Sequence, residues 1–465
     1  MQRMSFKSVI FFLFLTGFVM SCKKEKEPVA PPSPPPVSNI PTPSTDAILK
    51  DSVLFFARDL YLWNEQIPAS FDAKGYGDFD KIMQGIRPYS IEAGFPDAVD
   101  RFSFAIKQTE WDALSEGMGT TMGTTGTEGD FGMTVFFRVE GDLRVRLVEP
   151  ASPAGLAGIR RGWRITKING NTDITTSNSD FLVDNIYEAA SSKFTFLKPD
   201  GSSVEVDLAR GHYQEKAVYL DSVYTISNKK IGYLVFNSFL GNQSEITDEF
   251  QRVFSKFSSN GVTEVIVDLR YNGGGYVSLQ EKLANYLVNS SANGGIMMKQ
   301  VYNKKNTASN ETTKFVKEGT LNLSRVYFIV SNATASASEL LINNLRPYMD
   351  VKLVGATTYG KPVGFFPIPV GEWYIFPVSF RSTNKNGEGN YFNGFTVDNR
   401  VADGLDKDWG DVTEARLAST IKNITTGSFR IGSEPEYQES PAIAKGNRTL
   451  DAPFLKVTIG ERKPF

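Results

Sequence analysis

Two side chains, Ser336 and Lys361, stand where a nucleophile and its base could meet in this 465-residue chain. Residues 326–330 (Val-Tyr-Phe-Ile-Val) read as a buried strand, 331–336 as a turn of small residues and 337–345 as a helix. A second strand at 351–354 then leads to a glycine turn that carries Lys361. A strand that delivers a small-residue turn straight into a helix is a place for an exposed nucleophile, with helix N–H groups aimed at its reaction centre. The returning strand brings Lys361, beside Tyr359 and the apolar stretch 363–369, toward the same point. The chemistry open to such a pair is acyl transfer, in which a hydroxyl attacks a carbonyl and a neutral amine takes its proton. Two plainer readings stand beside it. Ser336-Ala-Ser-Glu339 fits a capping box, in which serine and glutamate only close the helix end. Lys361 could be an ordinary solvated lysine.

A second motif lies upstream, where the apolar run 265–269 enters Asp268-Leu-Arg270-Tyr-Asn272-Gly-Gly-Gly and then an amphipathic helix. Together with Thr334-Ala-Ser336-Ala-Ser-Glu339 and Thr358-Tyr-Gly360-Lys361, in this order and spacing, it resembles the carboxyl-terminal processing (tail-specific) peptidases. These are serine peptidases with a Ser/Lys dyad and an embedded PDZ domain, and the likeness covers roughly residues 45–420. The resemblance implies an α/β fold: a ClpP/crotonase-like spiral core with an inserted PDZ domain and a small N-terminal helical element. It makes Ser336 the nucleophile and Lys361 the base, and it places the amides of Gly273 or Gly274 with that of Ala337 in the oxyanion hole. Asp268 and Arg270 are expected to fix the glycine loop rather than touch substrate. One position departs from the pattern. Many relatives have glutamine four residues after the lysine, where it orients the amine, and this chain has Phe365.

Composition removes several other chemistries. Fifty basic and 52 acidic residues leave a formal charge of −2, so no global field draws nucleic acid or an anionic surface. The single cysteine, Cys22, excludes an intrachain disulfide, a cysteine nucleophile and a thiolate-ligated metal site. The single histidine, His212, lies in a polar junction without a motif, which speaks against a Ser-His-Asp triad and against a catalytic zinc. The glycine triplet has neither phosphate-loop spacing nor the dinucleotide fingerprint. No cofactor and no metal are expected.

The remaining elements must carry and position the pair. Residues 1–21 combine Arg3 and Lys7 with an apolar run too short to span a bilayer, and end at Val-Met-Ser-Cys22. This resembles a bacterial lipoprotein signal, which implies cleavage before Cys22, lipid on its thiol and a place in the cell envelope. Lys23, rather than aspartate, after that cysteine favours the outer membrane. Residues 22–44, with eight prolines from Pro28 to Pro43, form a tether. At about 3.1 Å per residue it reaches roughly 60 Å. Residues 45–116 read as an aromatic-rich helical element, and 117–129 as a glycine and threonine connector.

Residues 128–210 resemble a PDZ domain through the run from Glu149 to Gly170. By that resemblance, Phe131-Gly132-Met133 is the loop whose N–H groups hold a peptide's terminal carboxylate while the peptide adds as a strand. Alternating strands and helices over 216–425 give a parallel, covered sheet as the peptidase core. Residues 373–380 and 390–397 read as strands, 412–422 as a closing helix and 426–465 as a tail without a clear reading. The expectation is an envelope-anchored serine endopeptidase whose partners are protein C-terminal tails and, through lipid, the membrane. An inactive peptide-binding relative and a crotonase-like acyl-CoA enzyme are the alternatives; the latter leaves the PDZ segment and export signal without a role.

Overall fold

Six strands assemble in the order Asn399–Arg400, Asp350–Gly355, Arg325–Val330, Glu264–Asp268, Lys229–Phe236, Val218–Ile226. All neighbours run parallel except the last pair, a hairpin. The computed structural model describes residues 44–118, 129–429, 440–451 and 457–460. The signal segment 1–21, Cys22, nearly all of the proline tether and most of the glycine and threonine connector lie outside the described residues.

Period-two alternation explains why the sheet is covered on both faces. Leu234 and Phe236 point to one side, under the helices Gln243–Ser259, Val277–Leu287 and Ala337–Leu345, with Phe250, Leu283 and Leu341 filling the interface. Tyr233 and Val235 point to the other, under the helix Ala415–Thr426 and its Leu417, Ile421 and Ile424. The expected α/β class is borne out, and the closing helix falls close to its predicted place.

The segment read as a PDZ domain holds a five-stranded antiparallel sheet in the order Met133–Val139, Asp142–Val148, Arg164–Ile168, Ser191–Leu197, Ser203–Ala209. Val135, Phe137, Ile165, Leu182, Phe194 and Phe196 give it a core of its own. Buried charge ties it to the larger sheet. Arg161 donates to Asp403 at 2.6 Å, and Asp403 also lies 3.4 Å from Arg270, which makes two bonds to Glu414 at 2.9 and 3.1 Å. Asp403 is held far below the ordinary carboxylate range: burial works to raise it, and Arg161, Arg270 and Arg416 outweigh that penalty.

Two expectations need correction. Residues 45–116 are not helical throughout, because Phe104–Lys107 is a strand paired antiparallel with Trp373–Phe376. Its apolar residues join the helices Thr45–Leu60 and Phe79–Ile86 in one cluster with Val363, Phe365 and Ile368. Residues 390–397 form turns rather than a strand. Tyr391, Phe392 and Phe395 are buried there by packing, and Gly394, at φ 76°, closes a turn onto Tyr391 O at 2.9 Å. Apolar residues that plug a gap mimic a strand in sequence.

Candidate active site

Parallel pairing of Arg325–Val330 with both Asp350–Gly355 and Glu264–Asp268 places the three motifs at one end of the sheet. The chain leaves Val330, turns through Ser331 and Thr334, and enters the helix Ala337–Leu345 at Ser336. Asn272 closes the gap from the glycine loop, since its carbonyl accepts from Ala335 N–H and from the Ser338 hydroxyl, both at 3.1 Å.

Ser336 has φ 65° and ψ −118°, a left-handed conformation that costs a residue with a Cβ about 1–3 kcal/mol. Capping serines have extended backbone, and their side-chain oxygen accepts from an N–H of the first turn. Ser336 does otherwise. The capping-box pairing with Glu339 is present in outline, but the hydrogen bond made is from Ser336 N–H to Glu339 Oε2 at 2.9 Å. Its hydroxyl is fully buried and has no hydrogen-bond partner among the described residues. A buried hydroxyl on a strained turn at a helix start, unpaired among the described residues, does not make the bond of a cap and leaves Ser336 a candidate nucleophile.

Glu339 proves to be the organiser of the site. The same Oε2 accepts from Lys361 N–H at 2.8 Å, while Oε1 accepts from Gly360 N–H at 2.7 Å and from the Thr358 hydroxyl at 2.6 Å. One carboxylate oxygen thus lies within 2.9 Å of the backbone nitrogens of both Ser336 and Lys361. Burial pushes the pKa of Glu339 up, against four donors that hold its ionised form.

Lys361 is 1% exposed. Burial drives its ammonium well below the usual lysine range; the Asp100 and Glu339 carboxylates oppose this and Arg87 adds to it. Its Nζ lies 3.9 Å from the centre of the Phe365 ring and 5.4 Å from that of Phe102. Phe365 therefore packs directly on the amine from the position where many relatives have glutamine. The N-terminal element supplies the rest of this wall. Asp100 is locked by Tyr61, Ser103 and Phe102, and Arg101 donates to Tyr359 O at 2.6 Å and Phe392 O at 3.2 Å, clamping the lysine turn.

The other expected site residues divide. Ala337 is the first residue of its helix, so its N–H has no acceptor within the helix. Gly274 N–H is committed to Asn272 Oδ1 at 2.9 Å, which leaves Gly273 of the two glycines. Asp268 and Arg270 are buried and bonded to each other, as a loop brace should be. In the carboxylate-binding loop, Gly132 N–H does not stand open as expected. It donates to Asp130 Oδ1 at 2.7 Å, Asp130 being anchored by the Tyr213 hydroxyl at 2.6 Å. Phe131 O and Gly132 O accept from Ala154 and Glu149, and Met133 pairs with Val148. Cys22 lies outside the described residues.

Sequence reading treated Glu339 only as a cap and passed over Asp100 and Phe102. For Glu339 the signal was present in the spacing Ser336-x-x-Glu339; the other two come from a distant stretch that only the fold brings to Lys361.

Residues 230–398 match the sequence model of peptidase family S41. The matched stretch holds all three motifs, the glycine loop, the Ser336 turn and the Lys361 turn. A probable CtpA-like serine protease of Staphylococcus aureus (strain COL) is 27% identical over 292 residues, 62% of this chain and 53% of that protein. One from Staphylococcus saprophyticus is 24% identical over 213 residues, 46% of this chain and 40% of that protein. The chain thus spans about half the length of the curated relatives it matches. A crystal structure assigned to the S41 proteases, from Bacteroides fragilis NCTC 9343, superposes with a TM-score of 0.66 at 22% identity, over 83% of this chain and 99% of that one. At that identity the likeness shows a shared fold. The family recognised from the three motifs is borne out.

Proposed function

We propose that this chain is a serine endopeptidase that cuts proteins or peptides near their C-termini, with Ser336 as nucleophile and Lys361 as base. The observation that carries the reading is the Glu339 carboxylate, which fixes a strained serine with an unpaired hydroxyl and a lysine driven toward its neutral form. Ser336 Oγ attacks the scissile carbonyl while the neutral Lys361 amine takes its proton and later returns it to the leaving amine. The amides of Ala337 and Gly273 stabilise the oxyanion, worth about 3–4 kcal/mol per donor in comparable sites. Phe365 and Phe102 take over from glutamine the task of holding the amine, by packing rather than by hydrogen bonding.

The five-stranded sheet, as a PDZ domain, engages the substrate's tail at its edge strand Met133–Val139. The Asp130 carboxylate under Gly132 favours strand addition over capture of a terminal carboxylate in that loop. Lipid on Cys22 and the proline segment after it anchor the enzyme in the cell envelope.

The test is direct. Protein lacking residues 1–22 is incubated with an unfolded protein and with a serine-reactive fluorophosphonate. Fragments in the mass spectrum, with the label on Ser336, support the reading. Label and fragments that persist in Ser336→Ala overturn it.

A further inference from the structure

The described parts of the C-terminal tail lie against two binding edges. The helix Pro441–Asp451 packs on the five-stranded sheet beside its edge strand Met133–Val139, with Ile443 and Leu450 buried in that sheet's core. Asn447 Oδ1 accepts from Phe137 N–H at 2.8 Å, and Asn447 Nδ2 donates to Phe137 O at 3.1 Å. One side chain thus occupies both backbone groups that an added peptide strand would use at this point.

The strand Val457–Ile459 lies in the catalytic domain. It pairs in parallel with Gly274–Tyr276, the strand that begins directly after Gly273. The opposite edge of Gly274–Tyr276 is already taken by Phe239, so the tail fills its remaining edge. On its far side Ile459 bridges Phe365, and Gly460 N–H donates to Phe365 O at 2.9 Å. The tail therefore runs between the glycine loop and the segment that carries Lys361. Ser336 is fully buried with the tail in this place. An extended chain thus bridges the strand that follows the glycine loop and the segment four residues beyond Lys361.

We infer that residues 440–451 and 457–460 are a ligand in cis, filling both the peptide-binding edge and the catalytic groove, and that their sequence reports what the groove accepts. The class is an extended peptide with a buried apolar residue followed by glycine. Ile459 is 4% exposed, in the cluster that contains Phe365. At Gly460 a Cβ would come within 2.8 Å of the Phe380 ring, itself fully buried, so a larger residue must displace a packed aromatic. The inference rests on the peptidase reading for the meaning of the groove. A tethered occupant acts at an effective concentration of about millimolar, so an untethered peptide binds weakly until the tail is released.

Binding without turnover separates this inference from the activity itself. In full-length Ser336→Ala, a dye-labelled peptide with the sequence of residues 455–465 is titrated by anisotropy, with and without Ile459→Asp in the protein. Ile459→Asp should tighten binding at least about tenfold by removing the competitor. The same peptide carrying Gly460→Val should not bind. Equal affinity for the two proteins, or equal affinity of the two peptides, overturns the inference. If circular dichroism shows Ile459→Asp unfolded, Gly460→Val in the protein serves as the releasing variant under the same criterion. A protein that binds the peptide in this way yet never cuts any substrate would refute the peptidase reading and leave the occupied groove standing.

Discussion

Replacing Glu339 by glutamine probes the group that joins the two halves of the site. Its carboxylate accepts four hydrogen bonds, two on each oxygen. An amide has one accepting oxygen. With that oxygen toward Ser336 and Lys361, the NH2 group faces Gly360 N–H and the Thr358 hydroxyl. Thr358 can rotate to accept, but Gly360 N–H is left without a partner, at a cost of about 1–3 kcal/mol. The two bonds that survive lose their charge assistance, roughly half their strength. Removal of a buried charge, visible in the raised pKa of Glu339, offsets part of this. The net loss is about 2 kcal/mol, which for a folded body beginning at Thr45 lowers Tm by about 2 °C.

The effect on rate should be larger than the effect on stability. Displacing a reacting group by about 1 Å costs on the order of 100-fold, so kcat should fall by that amount with little change in KM. A positioning role predicts one further signature. The Glu339 charge favours the ammonium form of Lys361, so its loss lowers the amine pKa further. The rising limb of kcat against pH should move to lower pH in Glu339→Gln. A variant with kcat within twofold of wild type and an unmoved profile would refute the argument.

Three further outcomes are expected. Phe365→Gln restores the residue many relatives carry but sets an amide among Phe104, Phe376 and Ile459; thermal unfolding should show a loss of about 2–4 kcal/mol without a gain in activity. Burial, eased by the Tyr219 hydroxyl and Lys216 N–H, pushes Glu149 up to about 7. A carboxyl with a raised folded pKa gives stability that is full below its unfolded value and lost as pH rises through the folded one. The wild-type Tm should therefore drop between pH 5 and 7.5, with up to about 1.4 kcal/mol per pH unit attributable to one proton, and Glu149→Gln should flatten the slope. Cys22→Ser should leave the membrane fraction or retain an uncut leader, with unchanged turnover by the folded enzyme; a mature-length mutant wholly in membranes would refute the anchor.

The parallel-sheet domain was legible in the sequence because its signals are local. Ser336, Lys361 and the glycine triplet each follow a strand whose apolar period is plain, and parallel pairing leaves one way to bring them together. The brace formed by Asp268 and Arg270 was legible for the same reason. What stayed hidden depends on distant partners. Asp100 and Phe102 look like core residues until the strand Phe104–Lys107 pairs with Trp373–Phe376 and swings them to Lys361. Gly132 looked open because Asp130, two residues before it, gives no sign in sequence of turning its carboxylate onto that amide. The tail helix and Val457–Ile459 have too few apolar residues for a period to emerge, and their seats are built by other parts of the chain.

The central claim is that Lys361 is the base, and it is most directly tested by kcat/KM as a function of pH for wild type beside Lys361→Arg and Ser336→Ala. A lysine acts as a base only when neutral, so activity must be low below its pKa and rise above it. Because burial lowers that pKa, wild type should show one rising ionisation well below the usual lysine range. Lys361→Arg should be folded and inactive at every pH, since a guanidinium does not deprotonate in proteins, and Ser336→Ala should be equally silent. A profile that rises only in the range of a free lysine, or a Lys361→Arg enzyme with near-normal turnover, would contradict the account.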